Sequence, residues 1–338
     1  MLLKKQVIAN LSSPYTVNTF HLKEKEFIGI GSEGPCPSFL IDLSDNSKIK
    51  ISDGPGGTMC LSPALVNDTD LISVMGLFPP FVGRDAGVFV HSVKSGEWCT
   101  ERIISLPFAH RCEMIKGMGT YNLFLSSISK NKSHPDDWSM PGELYVIPMK
   151  DLSPVENIGS PLLNNITRNH GMIRTMIEGR ETVCISGSEG IIAVYSDDNS
   201  GWKTVRIFTR EVGEFEFYDL DGDGINELIT IEPFHGNSLN IYKKMNNTWI
   251  HSFQAGLSFG HGLSAGFFNA VPSIVVGSRS GDRELLLFCV HDLKHNQISK
   301  HVIEENAGPT QTGIFRHNSI DHILSSNQGL GEVAMYTV

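Results

Sequence analysis

The chain has 338 residues, among them 33 glycines, 16 prolines and 18 phenylalanines, and only 19% of it is charged. That length buries a large core, and the glycine and proline content suits many short strands joined by tight turns. A formal net charge of -10 argues against the basic surface that nucleic acids and polyanions require, so a small neutral ligand such as a sugar is the better partner.

The first ten residues, Met1 to Asn10, hold no apolar run long enough for a signal peptide, and no later stretch approaches a membrane span, which predicts a cytoplasmic protein with no membrane contact. The six cysteines, Cys36, Cys60, Cys99, Cys112, Cys184 and Cys289, lack metal-motif spacing and mostly stand inside apolar strand runs. They read as buried thiols and not as a disulfide framework.

Strand pairs of one pattern then recur at about 40–50 residues, the period of propeller repeats. They start near Tyr15, Thr58, His110, His170, Gly213, His261 and Thr310. Each start leads to an apolar second strand such as Thr182-Val183-Cys184-Ile185, a third such as Ile191-Ile192-Ala193-Val194-Tyr195, and a fourth such as Trp202-Lys203-Thr204-Val205-Arg206-Ile207. The last repeat stops after three strands, and Lys5-Gln6-Val7-Ile8 reads like the fourth strand Lys300-His301-Val302-Ile303. The expected fold is all-β: a seven-bladed β-propeller of four-stranded antiparallel blades, closed by the N-terminal strand, as a single domain over residues 1–338. Such a domain is compatible with a homo-oligomer.

Two connections exceed the hairpin norm, residues 76–85 and 129–142, both between second and third strands, where a rigid scaffold tends to carry function. In a propeller those turns share a rim with the blade starts, and three starts carry a histidine: His110, His170 and His261. His235 lies in another second-to-third turn. Neutral imidazoles converging on an axis hold zinc or a similar divalent transition metal with one position open, so His110, His170 and His261 are the expected ligands. The competing account gives each histidine a hydrogen bond to a neighbouring blade's backbone. Arg111 and Glu113 follow His110, Arg84 comes from the first long connection, and Asp136, Asp137 and Trp138 come from the second. An indole beside carboxylates suits sugar binding, while anchoring its own loop is the alternative for Trp138. Histidines such as His91 and His322 fall elsewhere on the strands, where a structural or solvated role fits.

In the fifth repeat Asp219, Asp221 and Asp223 alternate between two strand runs, with Gly224 to allow a positive φ and Glu227 beyond. Carboxylates at this spacing suit a hard cation, calcium or magnesium. An EF-hand is excluded, because Thr230 stands where its bidentate acid belongs and strands flank the loop. The remaining alternative is closure by the loop's own Asx hydrogen bonds.

The acidic turn resembles the FG-GAP-type repeat of β-propellers, whose D-x-D-G-D-G loop binds calcium. The His110-Arg111-x-Glu113 start, the Asp136-Asp137-Trp138-Ser139-x-Pro141-Gly142 loop and the two His-Gly starts resemble the propeller domain of the aldos-2-ulose dehydratase family. That resemblance implies a metal-dependent carbon–oxygen lyase of carbohydrate metabolism, dehydrating 2-keto sugars such as 1,5-anhydrofructose. The metal would stabilise the enolate, His235 or Glu113 would serve as base, and Arg84 or Arg111 would orient oxygens. Rival readings are a polysaccharide lyase or rhamnosidase-like glycosidase, and a non-catalytic propeller binding sugars or proteins.

Overall fold

The computed structural model describes residues 2–79, 82–197 and 200–338. Its strands form seven four-stranded antiparallel sheets, the blades of a seven-bladed β-propeller. Two compact units are distinguished: Phe20–Glu211, and Met1–Thr19 together with Val212–Val338.

Phe20–Glu211 carries most of the first four blades in chain order. The first is β2 (Pro14–Leu22), β3 (Lys25–Ser32), β4 (Ser38–Asp42) and β5 (Lys48–Ser52), with β1 being Lys4–Asn10. The second is β6 (Cys60–Pro63), β7 (Leu71–Met75), β8 (Gly87–Lys94) and β9 (Glu97–Ser105). The third is β10 (Ala109–Gly117), β11 (Thr120–Ser127), β12 (Gly142–Met149) and β13 (Leu163–Ile166). The fourth is β14 (Met172–Ile177), β15 (Arg180–Gly187), β16 (Gly190–Asp197) and β17 (Gly201–Phe208).

The other unit holds the fifth blade, β18 (Phe215–Tyr218), β19 (Glu227–Glu232), β20 (Ser238–Met245) and β21 (Thr248–Gly256), and the sixth, β22 (Gly260–Phe268), β23 (Val271–Ser278), β24 (Leu285–Asp292) and β25 (Gln297–Glu304). The seventh is β26 (Pro309–His317), β27 (Ile320–Asn327) and β28 (Glu332–Thr337), to which β1 adds the fourth strand. All seven expected starts fall within two residues of the first strand of a blade. The pairing of β1 with β28, Lys5 opposite Tyr336 and Val7 opposite Ala334, is the expected N-terminal closure of that sheet.

Burial explains the strand patterns. The second strands are covered on both faces by neighbouring sheets, so β7 and β19 are buried along their whole length, whereas the fourth strand β21 alternates between exposed and half-buried. In Phe20–Glu211, Leu40, Ile51, Leu61 and Leu71 form one cluster, and Ile115, Phe124, Val183 and Ile185 belong to another. In the second unit Ile229, Ile241, Ile274 and Phe288 pack together. Each such side chain contributes roughly 1.5–3 kcal/mol on leaving water. The third strands β8 and β16 begin on glycine because a Cβ at Gly87 or Gly190 would lie 2.0 Å from a carbonyl oxygen of the fourth strand, on Ile104 or Phe208.

No helix among the described residues is long and apolar enough to cross a membrane.

Candidate functional site

One local conformation precedes three of the blade-start histidines. Phe108, Arg168 and Phe259 have φ of 58°, 55° and 56°, and His110, His170 and His261 each follow two residues later. A left-handed non-glycine residue is costly unless its surroundings enforce it, so its recurrence marks an equivalent turn. β-bulges follow at two of the three, between Ala109 and Arg111 and between His261 and Leu263. A bulge re-aims the side chain it carries. All three histidines are buried.

Within Phe20–Glu211 the rings of His110 and His170 lie 4.8 Å apart. Arg111, between them in sequence, donates from Nε to the His170 carbonyl at 3.2 Å and from Nη1 to the Met59 carbonyl at 2.8 Å. Its guanidinium thus ties the starts of three successive blades through backbone oxygens, a positioning duty the sequence did not suggest. Glu113, one pleat further along β10, is half-buried, and desolvation pushes its carboxyl up to about 7, against the opposing pull of Arg174 and Arg111. The Sγ atoms of Cys60 on β6 and Cys112 on β10 are 3.4 Å apart. The cysteines form no disulfide, and Cys60, Cys112, Cys184 and Cys289 are buried, as expected for strand thiols.

In the second unit His261 Nδ1 is 2.6 Å from the Thr310 carbonyl. A carbonyl oxygen only accepts, so Nδ1 carries the proton, and the Gly262 N–H at 3.0 Å from the same nitrogen adds nothing in that tautomer. Nε2 keeps its lone pair and faces the Tyr15 hydroxyl at 3.4 Å. A histidine fixed at one nitrogen by a carbonyl is arranged to act as base or ligand through the other. His235, itself at φ 48°, stacks on Phe234 at 3.8 Å, with Phe259 at 4.5 Å and His261 at 5.1 Å between ring centroids. Tyr15 was read from the sequence only as a blade start; its alignment with the histidine-bearing starts was the signal that it belongs with them. His91, by contrast, is a core histidine between Ser73 and Thr100, at 2.8 and 2.9 Å, and burial pushes its pKa down to about 4.

The long connections are occupied by their own contacts. Asp137 Oδ2 accepts from the N–H and hydroxyl of Ser133, and Oδ1 from those of Ser139, at 2.6–3.0 Å. These bonds hold its carboxyl well below the usual range. The Lys132 ammonium sits 3.2 Å from the Trp138 ring centroid, so one face of the indole is covered, as in the loop-anchor account. Asp136 is exposed, as is Arg84 in a 3-10 turn at Gly83–Asp85. Pro80 and Phe81 of the first connection lie outside the described residues.

In the acidic turn Asp219 accepts from the N–H groups of Gly222 and Gly224 at 2.8 and 2.9 Å, and Asp223 from that of Ile225 at 2.9 Å. These are the Asx closures weighed from the sequence. Asp219, Asp221 and Glu227 nevertheless bring one oxygen each within 4.8 Å of one another. Among these carboxylates lies Lys243 of β20, bonded to Asp221, 2.8 Å from Asp223 and 3.9 Å from Glu227. Its ammonium stands where a hard cation would. Removing it leaves the acids facing one another, so Lys243→Ala is expected to cost roughly 1–2 kcal/mol in metal-free buffer. Millimolar calcium should then raise the unfolding midpoint of the variant and leave the wild type almost unmoved. Equal calcium responses in both proteins would mean that the ammonium yields its place to the ion.

No family model matches the chain, and no curated protein matches it. Solved propellers are similar in fold. The Dos1 propeller has a TM-score of 0.54 at 13% identity, over 96% of this chain and 78% of that one. BBS1N, solved in complex with ARL6DN, has a TM-score of 0.58 at 10% identity, over 99% and 95%. Sqt1 of Saccharomyces cerevisiae has a TM-score of 0.57 at 9% identity, over 94% and 83%. At these identities the likeness concerns the fold alone.

Proposed function

We infer that the protein is a carbohydrate-active hydro-lyase that removes water from a keto sugar of the 1,5-anhydrofructose or aldos-2-ulose type. The observation that carries this reading is His261, whose Nδ1 is committed to the Thr310 carbonyl and whose Nε2 faces the Tyr15 hydroxyl. Dehydration needs a base for the C–H beside the ketone and an acid for the departing hydroxyl. Without a metal His261 can draw a proton through Tyr15; with its Nε2 on a metal, His235, whose ring is tilted to it at 5.1 Å, is the imidazole available as base. Glu113, protonated up to about pH 7, has the state that an acid for the leaving group requires. Arg111 is spent on backbone carbonyls, which leaves Arg84 for substrate oxygens, with Asp136 as the remaining sugar contact. This reading implies zinc, and His261 is pre-set as a ligand for it: Nε2 would bind the ion in place of its Tyr15 contact. Such an ion would supply Lewis acidity toward the ketone oxygen.

A binding propeller is the second reading, favoured by the self-contained contacts of Asp137 and Trp138. BBS1N, similar in fold, was solved with a protein partner. The test is metal content by mass spectrometry together with an ultraviolet assay for the enone product from 1,5-anhydrofructose. Stoichiometric transition metal and enone formation, both lost in His261→Ala, are expected. A metal-free, inactive but folded wild type would transfer the reading to the binding propeller.

A further inference from the structure

Cys60 and Cys112 stand on the innermost strands of adjacent blades within one compact unit, 51 residues of chain lying between them, and their sulfurs are already in contact at 3.4 Å. We propose that they are a redox modification site: a dithiol that a small hydroperoxide converts into a disulfide bridging β6 and β10. A disulfide bond is about 2.0 Å long, so closure takes a little over 1 Å, shared between two side chains. Burial, at 8% and 3% exposure, limits the oxidant to a small molecule and keeps protein disulfides out.

Either sulfur can donate to the other. The Arg111 guanidinium bonds the carbonyl of Met59, the residue before Cys60, at 2.8 Å, and this nearby positive charge favours Cys60 as the attacking thiolate and Cys112 as the resolving thiol. The Cys60 thiolate attacks the hydroperoxide; an S–O bond forms, the O–O bond breaks, and the alcohol leaves after taking a proton from water. Cys112 sulfur then attacks the sulfenic sulfur; the S–S bond forms, the S–O bond breaks, and hydroxide departs as water with the Cys112 proton. The sulfur pair loses two electrons and the peroxide bond gains them. An external thiol reverses the step by exchange. The crosslink would fasten the strands that Arg111 already joins at Met59.

The test uses the full chain in a Cys36→Ser/Cys99→Ser background, which leaves four of the six cysteines. After brief treatment with hydrogen peroxide, the protein is denatured, alkylated and mapped by mass. Two thiols are expected to be lost as one Cys60–Cys112 linked peptide, restored by dithiothreitol. Adding Cys112→Ser should halt the reaction at a Cys60 sulfenic acid that dimedone traps. The proposal is overturned if all four thiols stay alkylatable at a peroxide level that oxidises free cysteine. It is equally overturned if Cys184 or Cys289 reacts first. The linked-peptide measurement stands even where the Cys112→Ser protein fails to fold.

Discussion

Glu113→Gln is expected to make the protein more stable at pH 8 and to flatten its stability between pH 5 and 8. Desolvation raises the folded carboxyl from 4.5 to about 7. In that interval the folded state binds more protons than the unfolded chain, so stability is fully present below the unfolded pKa and is lost as pH rises through the folded one. The loss due to Glu113 is about 2 kcal/mol, its partial exposure keeping the figure below the full linkage value. Glu216, on the first strand of the fifth blade, and Glu227, behind the acidic turn, are pushed up to about 7 by burial as well and act in the same direction. Asp42 works at the other end: the Lys25 ammonium at 2.7 Å, with help from Ser44, lowers its carboxyl from 3.8 to about 2. Its contribution is present above 3.8 and disappears as pH falls through 2. Urea midpoints measured from pH 3 to 9 should therefore peak at about pH 4–5. Parallel curves for wild type and Glu113→Gln would mean that Glu113 ionises like a solvated carboxylate.

Arg111→Met should cost about 3 kcal/mol in urea unfolding. Two charge-assisted hydrogen bonds vanish, and the Met59 and His170 carbonyls lose a donor in a region where water is scarce. Arg111→Lys should recover about half, because an ammonium reaches one carbonyl but does not reproduce the fork. A change under about 0.5 kcal/mol, the range of ordinary surface substitutions, would remove Arg111 from the framework. If Arg111 touched substrate instead, turnover would fall in the lysine variant while its stability stayed intact.

The blades were legible because each second strand is rich in apolar residues and the turns repeat. In the seventh repeat, whose third strand is Glu332–Thr337, the likeness of residues 5–8 to residues 300–303 of a fourth strand pointed to β1 as its partner. The histidine pairs were legible as positions, since a repeat aligns His110 with His170 and His261. Their partners were not, because sequence distance hides them. Tyr15 reaches His261 across 246 residues, and the Arg111 carbonyls lie 52 and 59 residues away. Lys243 is the sixth residue of β20, and nothing in Asp219–Glu227 signals that this strand carries the opposite charge. Asp137 read as a sugar ligand because two flanking serines look like ordinary loop residues until the loop is closed around it.

Because β1 bonds to β28, the earliest strand of the chain has no sheet partner until nearly the last has been made. On a ribosome, β3 to β17 can pair with neighbours close in sequence soon after they emerge, whereas Lys4–Asn10 waits through some 320 further residues. Throughout that interval it presents open backbone donors and acceptors, a grip for chaperones and for the β28 of another nascent copy. That sheet, the seventh blade, is completed only when β28 has emerged and β1 lies down beside it.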